Sequence, residues 1–254
     1  MTAPDRVALR TVGLTKVFRG FTAVDAVDLE VREGDVHALV GPNGAGKTTL
    51  FNLLTGFLSP SAGTITVFDE DVTGLQPEQI AHKGVARSFQ ITSLFESMTP
   101  REHVELALQG RTSRGLWFWR SDKLLRGYRQ HVDELLEQVG LLGLADQPSA
   151  LLAYGQKRAL EMALVLALDP TVLLLDEPTA GMGIEDVDRT IELVRRIATD
   201  RTVVFVDHNM HVVGSLADRV TVLQQGEVLA EGTYDDVRGD QRVITAYLGE
   251  ASHA

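Results

Sequence analysis

The residues Gly41-Pro42-Asn43-Gly44-Ala45-Gly46-Lys47-Thr48 have the types and the order needed to grip a polyphosphate. Phosphate oxygens require many donors in a small volume, and glycines let the backbone wrap so that successive N–H groups point inward. A helix starting at Lys47 adds positive potential at its N-terminus. The Lys47 ammonium is suited to reach the β- and γ-phosphates and the Thr48 hydroxyl to ligate Mg2+, with Thr49 a further nucleotide-binding residue. Lys47 itself reads as a surface charge outside the core. A glycine-rich turn beside a solvated lysine is the simpler reading. The complete pattern G-x-x-x-x-G-K-[ST], between an apolar strand and a helix, outweighs it.

A second reactive group closes the run Val172-Leu173-Leu174-Leu175-Asp176-Glu177. Consecutive apolar residues mark a strand buried on both faces, the type found inside a parallel sheet. Carboxylates at its C-terminal end lie where such sheets bind ligands. Asp176 is suited to hold Mg2+ directly or through water, and Glu177 to polarise an attacking water. Many strands end in acids, so this signal gains its weight from the phosphate loop.

These groups need a scaffold, and the patterning predicts one. Val7–Val17, Val24–Val31, Val36–Val40 and Thr64–Phe68 read as strands, with a turn at Glu33-Gly34-Asp35. Lys47–Leu54 reads as the helix behind the glycine loop. Apolar spacings of three and four predict helices at Glu102–Gln109, Lys123–Val139 and Gln156–Leu168. Strand character returns at Val172–Leu175, Thr202–Val206, Val220–Leu223 and Val228–Ala230, with a helix over Ile184–Ala198 and one or two short helices in Tyr234–Leu248. Strand–helix–strand alternation at both ends around a helical block implies a parallel-sheet α/β core with a helical insertion.

Composition narrows the partners. The 254 residues are 44% hydrophobic and 23% charged, enough for a large core, and the net charge of -11 gives no electrostatic reason to expect nucleic acid. The chain has no cysteine, which excludes disulfides and thiolate metal sites and fits a reducing cytosol. Met1–Arg10 lacks the apolar core of a signal peptide. Glu161, Asp169 and Pro170 break the apolar stretch Ala159–Leu175, well short of the ~18–20 residues of a membrane helix. A soluble chain is expected, held at any membrane by another subunit.

Leu152-Ala153-Tyr154-Gly155-Gln156, 20 residues before Val172, completes a resemblance to the nucleotide-binding subunits of ABC transporters, whose signature commonly reads LSGGQ. The resemblance implies that Ala153, Tyr154, Gly155 and Gln156 of one chain cover the ATP held by another, giving a head-to-tail dimer with two composite sites. It further implies that Phe18 stacks on adenine, and that Gln90 contacts Mg2+ and water while linking core to helical lobe. His208, in Val206-Asp207-His208-Asn209, is implied to contact the γ-phosphate. Three departures stand out: Ala153 in place of the usual serine, Gly183 where a D-loop aspartate is commonest, and Asp207 in place of glutamate, which reads as a small change. Trp117-Phe118-Trp119, between Arg114 and Arg120, reads as aromatic packing in preference to a membrane-partner contact.

The implied fold is a P-loop NTPase core with a mostly parallel sheet, N-terminal antiparallel strands and an inserted helical subdomain. Its divisions are 1–91 with 169–232 as the ATP-binding core, 92–168 as the helical part and 233–254 as a C-terminal extension. The implied activity is ATP hydrolysis, with ATP and Mg2+, powering a transporter through integral membrane permease subunits and an extracytoplasmic solute-binding protein. The protein would then sit on the cytoplasmic face of the membrane. Within the family, the signature, Arg87-Ser88-Phe89-Gln90 and Val243–Gly249 resemble the branched-chain amino-acid uptake branch. Ala180-Gly181-Met182 is similar to urea and short-amide uptake ATPases. An exporter ATPase, or a soluble ABC ATPase outside transport, is the alternative.

Overall fold

A computed structural model of the chain describes residues 6–88, 94–111 and 122–251. In chain order, β1 (Val7–Phe18), β2 (Phe21–Arg32) and β3 (Val36–Val40) precede α1 (Lys47–Leu54). β4 (Ala62–Val67), β5 (Glu70–Asp71), α2 (Pro77–His82) and β6 (Val85–Arg87) follow. The helical block comprises α3 (Pro100–Arg111), α4 (Asp122–Gln138) and α5 (Tyr154–Leu166). The chain then alternates through β7 (Val172–Asp176), α6 (Ile184–Ala198), β8 (Thr202–Val206), α7 (Met210–Leu216), β9 (Arg219–Gln224) and β10 (Glu227–Gly232). It closes with α8 (Tyr234–Gly239) and α9 (Gln241–Ala251).

Two sheets form. One is antiparallel, in the order β2-β1-β4-β5; the other runs β10-β9-β3-β8-β7-β6 and is parallel except for the β10–β9 pair. The strands of the second sheet are apolar at successive positions because both faces are covered. Alternate residues divide between two cores. Ala38, Val40, Leu173, Leu175, Val203 and Phe205 face the helices α3–α7, while Leu39, Val172, Leu174, Val204 and Val206 face α1 and the antiparallel sheet. α1 is thereby clamped between the sheets through Leu50, Phe51, Leu53 and Leu54.

The predicted α1, β3, α6 and β8 agree with the structure to the residue. Four elements were not predicted: β5, β6, α2 and α7. At two to seven residues each they are too short to show a period. Among the described residues no helix is long and apolar enough to cross a membrane.

His37 is the polar exception inside β3. It is fully buried, and its Nε2 lies 2.8 Å from Thr221 Oγ1 on β9. Burial is the main force pulling its pKa from 6.5 to about 4; Glu231 opposes the shift and Arg219 assists it. The folded state therefore keeps His37 neutral at a pH where the unfolded chain would protonate it. Between pH 6.5 and about 4 the unfolded state binds more protons, so stability falls as pH falls through that window, by up to about 3 kcal/mol from this group. Urea denaturation of wild type and His37→Gln across that range should give curves that converge as the pH drops, the variant losing about that much less than wild type.

Candidate functional site

Three neighbouring parallel strands end at one edge of the sheet, β3 beside β8 and β8 beside β7. From these ends emerge the loop Gly41–Gly46, the pair Asp176-Glu177 and the pair Asp207-His208. Carbonyl ends of such strands are where doubly wound sheets bind ligands.

The loop after β3 is made by its glycines. Gly41 has φ of 149° and a Cβ there would lie 2.1 Å from the Leu223 carbonyl oxygen; at Gly46, with φ of 101°, the Ala23 carbonyl oxygen would be 2.6 Å away. Any side chain at either position must displace backbone. The loop is braced from behind, since Gly226 N–H donates to Ala45 O at 3.0 Å and Asp25 N–H to Gly226 O at 2.9 Å. Pro42 and Ala45 are buried, Thr49 is half-buried, and Asn43, Gly44 and Thr48 are exposed.

Lys47 corrects the reading as a surface charge: it is only 7% exposed. Its ammonium donates to Gly41 O at 2.6 Å and to Pro42 O at 2.8 Å. The carbonyls of the loop replace water as acceptors, which is what allows a cation to be withdrawn from solvent.

Asp176 is 6% exposed and does not stand alone. Arg87, at the end of β6, donates from Nη2 to Asp176 Oδ2 at 2.5 Å and from Nη1 to Asn52 Oδ1 of α1 at 2.6 Å. Its guanidinium lies 5.6 Å from the centre of the Phe51 ring. Ser88 adds a hydroxyl that accepts from Asp176 N–H at 3.2 Å. Arg87 thus joins the helix behind the phosphate loop to the carboxylate of β7. Sequence reasoning used it only as a mark of the family branch; an arginine closing a strand three residues before Gln90 was the available signal.

Glu177 follows in a left-handed conformation, φ 47°, costly for a residue with a Cβ. Two backbone bonds hold it there, Glu177 N–H to Val206 O at 2.8 Å and Ala180 N–H to Glu177 O at 3.1 Å. Its Oε1 lies 2.8 Å from His208 Nε2, with the glutamate side chain 28% and the histidine 52% exposed. Asp207 supports the pair from below. Buried, it accepts from the Thr179 hydroxyl at 2.6 Å, and its second oxygen accepts from Asn209 N–H at 2.8 Å. The replacement read as a small change therefore ties the β7 loop to the β8 loop.

The remaining predicted residues lie in other surroundings. Ala153 precedes α5, where Gln156 Oε1 accepts from Ala153 N–H at 2.9 Å. Tyr154 and Gly155 lie against the Ala180–Asp186 stretch. A cavity of about 380 Å³ opens between α5 and the end of β7, with Ser88, Asp176, Gly155 and Arg158 among its walls. Phe18 is at the β1–β2 hairpin, 40% exposed, with the Lys16 ammonium 5.2 Å from its ring centre. Gln90 and Trp117-Phe118-Trp119 fall outside the described residues.

The residues present fit a magnesium nucleotide. The glycine cradle has no room for a Cβ at Gly41 or Gly46, a buried ammonium sits within it, and Thr48 and Asp176 supply the hard oxygen donors that Mg2+ takes.

Residues 24–180 match the family ABC transporter, and residues 227–253 match Branched-chain amino acid ATP-binding cassette transporter. The chain is 41% identical to the high-affinity branched-chain amino acid transport ATP-binding protein BraF of Pseudomonas aeruginosa, over 97% of this chain and 100% of that protein. It is 40% identical to LivG of Salmonella typhimurium, of the same description, over 94% of this chain and 96% of that one. The ADP conformation of MJ1267, an ATP-binding cassette of an ABC transporter, superposes with a TM-score of 0.86 at 28% identity, covering 96% of this chain and all of that one. A nucleotide-free ATP-binding cassette from an ABC transporter gives 0.83 at 27% identity, covering 95% and 98%.

Arg87→Met should leave the buried Asp176 carboxylate without its cation. Breaking a buried pair from one side costs about 3–5 kcal/mol, and guanidinium denaturation of the nucleotide-free protein should read a loss of that order. Adding Asp176→Asn should recover much of it, because the uncompensated charge is then gone.

Proposed function

The chain belongs to the ABC transporter family, and from that membership we propose that it is the ATP-hydrolysing subunit of an importer of branched-chain amino acids. One observation carries the reading: Lys47, Asp176-Glu177 and His208 share the ends of three adjacent strands, in a chain 41% identical to BraF. The names of BraF and LivG favour branched-chain amino acids over urea or short amides.

Gly41–Thr49 bind the phosphates through backbone N–H groups and the start of α1. Lys47 exchanges the Gly41 and Pro42 carbonyls for phosphate oxygens. Glu177 orients the attacking water and takes its proton, and His208, 2.8 Å from the carboxylate, keeps Glu177 aimed and contacts the γ-phosphate. Thr48 and Asp176 would hold Mg2+, which when bound would supply charge to offset the phosphates. Phe18 stacks on the adenine. Ala153–Gln156 cover the nucleotide held by a second ATPase chain, the same or related, in a head-to-tail dimer. The lobes are 1–91 with 169–232, and 92–168, with 233–254 as an appendage; Gln90 joins them and passes their motion to permease subunits. The ATPase then lies on the cytoplasmic face of the membrane, with a solute-binding protein on the other side.

Glu177→Gln tests the reading. The variant should still bind ATP but hydrolyse it more than ~100-fold more slowly, since general-base assistance is typically worth 10²–10⁴. Gel filtration with ATP and Mg2+ should show a closed dimer accumulating; turnover near the wild-type rate would remove Glu177 from the chemistry. Lys47→Ala should abolish tight ATP binding. Because Lys47 is buried, that variant should also lose about 1–3 kcal/mol of stability from the Gly41 carbonyl left without its donor, Pro42 O keeping the Ala45 N–H at 3.2 Å. Nucleotide titration and thermal melting of one sample read both effects.

A further inference from the structure

Tyr154 stands where the common signature has its first glycine, and it makes a bond that glycine cannot. Its ring is half-exposed at the start of α5, yet its hydroxyl donates to the Ala180 carbonyl at 3.1 Å. Gly181 forms the adjoining turn with φ of 74°, and a Cβ built there would lie 3.4 Å from the same hydroxyl. The Arg158 guanidinium, one turn along α5, is 5.7 Å from the ring centre and also hydrogen-bonds the Tyr154 side chain, a contact within α5 that does not reach the Glu177 turn. Beside it, a Cβ at Gly155 would meet the Asp186 carboxyl group at 3.1 Å. The start of α5 is therefore seated on the Ala180–Asp186 stretch of its own chain.

That stretch leads directly to Glu177. Ala180 accepts from Tyr154 through its carbonyl, and its N–H donates to Glu177 O at 3.1 Å. On the other side, Glu177 N–H is fixed to Val206 O at 2.8 Å and Thr179 to Asp207. The strained Glu177 turn is thus pinned from β8 at one end and from the signature at the other.

We propose that Tyr154 is a positioning residue for Glu177 of its own chain, acting through Ala180. This rests on the reading of Glu177 and of the dimer given above, and it adds a consequence. The segment that covers the partner's nucleotide and the base that serves the chain's own nucleotide are thereby tied together within one chain, through the Tyr154–Ala180 bond.

Tyr154→Phe removes only the hydroxyl, at a half-exposed position, so the fold survives. In the single chain, hydrogen–deuterium exchange of peptides spanning 177–183 should become about two- to tenfold faster, the range one neutral hydrogen bond commands. Unchanged exchange there would overturn the strap. In dimers assembled from two differently tagged copies, one carrying Glu177→Gln, a single site turns over. Placed on the copy with intact Glu177, Tyr154→Phe should lower kcat about two- to tenfold with little change in KM. Placed on the Glu177→Gln copy, whose signature covers the active nucleotide, it should lower kcat less. An equal or greater loss in that second arrangement would show that Tyr154 acts on the partner's nucleotide and would overturn the proposal. Dimers of two Glu177→Gln copies serve as the control: rapid turnover there would sink the reading of Glu177, and the strap's role with it, even if the exchange result stood.

Discussion

Charge withdrawn from water must be answered by fixed charge or dipole, and much of this molecule follows from two such groups, Lys47 and Asp176. Each is less than a tenth exposed. For Lys47 the answer is the phosphate loop itself, two carbonyls held in place by glycines whose neighbours leave no room for a Cβ. For Asp176 it is Arg87, a strand away in space. A buried ion pair of this kind adds little net stability, since desolvation offsets most of the attraction. What it does supply is position: both charges are held, with opposite partners, at the ends of strands that cannot shift without opening a core.

The two-sided sheet supplies that rigidity. β3, β7 and β8 send alternate residues into two separate apolar clusters, so a translation or rotation of any one strand would disturb packing on both faces at once. Loops rooted on such strands inherit their precision at one end only. At the other end each needs its own restraint, and the structure provides it: the turn at Gly226 behind the phosphate loop, Asp207 across the β7 and β8 loops, and Tyr154 on the far side of the Glu177 turn. The left-handed backbone of Glu177 persists because these restraints over-determine it.

A cavity lies between α5 and the end of β7. Beside it, the Tyr154 hydroxyl bond ties the start of α5 to the Ala180 carbonyl. Elsewhere α3, α4 and α5 share a single apolar cluster with the sheet, which anchors the helical block to the core.

What the chain declared in advance was local. The phosphate loop is contiguous, and Asp176-Glu177 directly end an apolar run, so residue order alone exposes them; α1 and α6 by their apolar spacing, and β3 and β8 as short, largely apolar runs, are bounded to the residue. Signature, aromatic and histidine positions were read from family likeness, and Gln90 falls outside the described residues. The burial of Lys47, the hold of Arg87 on Asp176, the tie through Asp207 and the Tyr154–Ala180 bond were decided by tertiary structure. Arg87 and Asp176 are 89 positions apart in the chain, Thr179 and Asp207 28, Tyr154 and Ala180 26. Such pairs meet because the strand order β10-β9-β3-β8-β7-β6 sets segments distant in sequence side by side, and no period within either segment records which neighbour it will have.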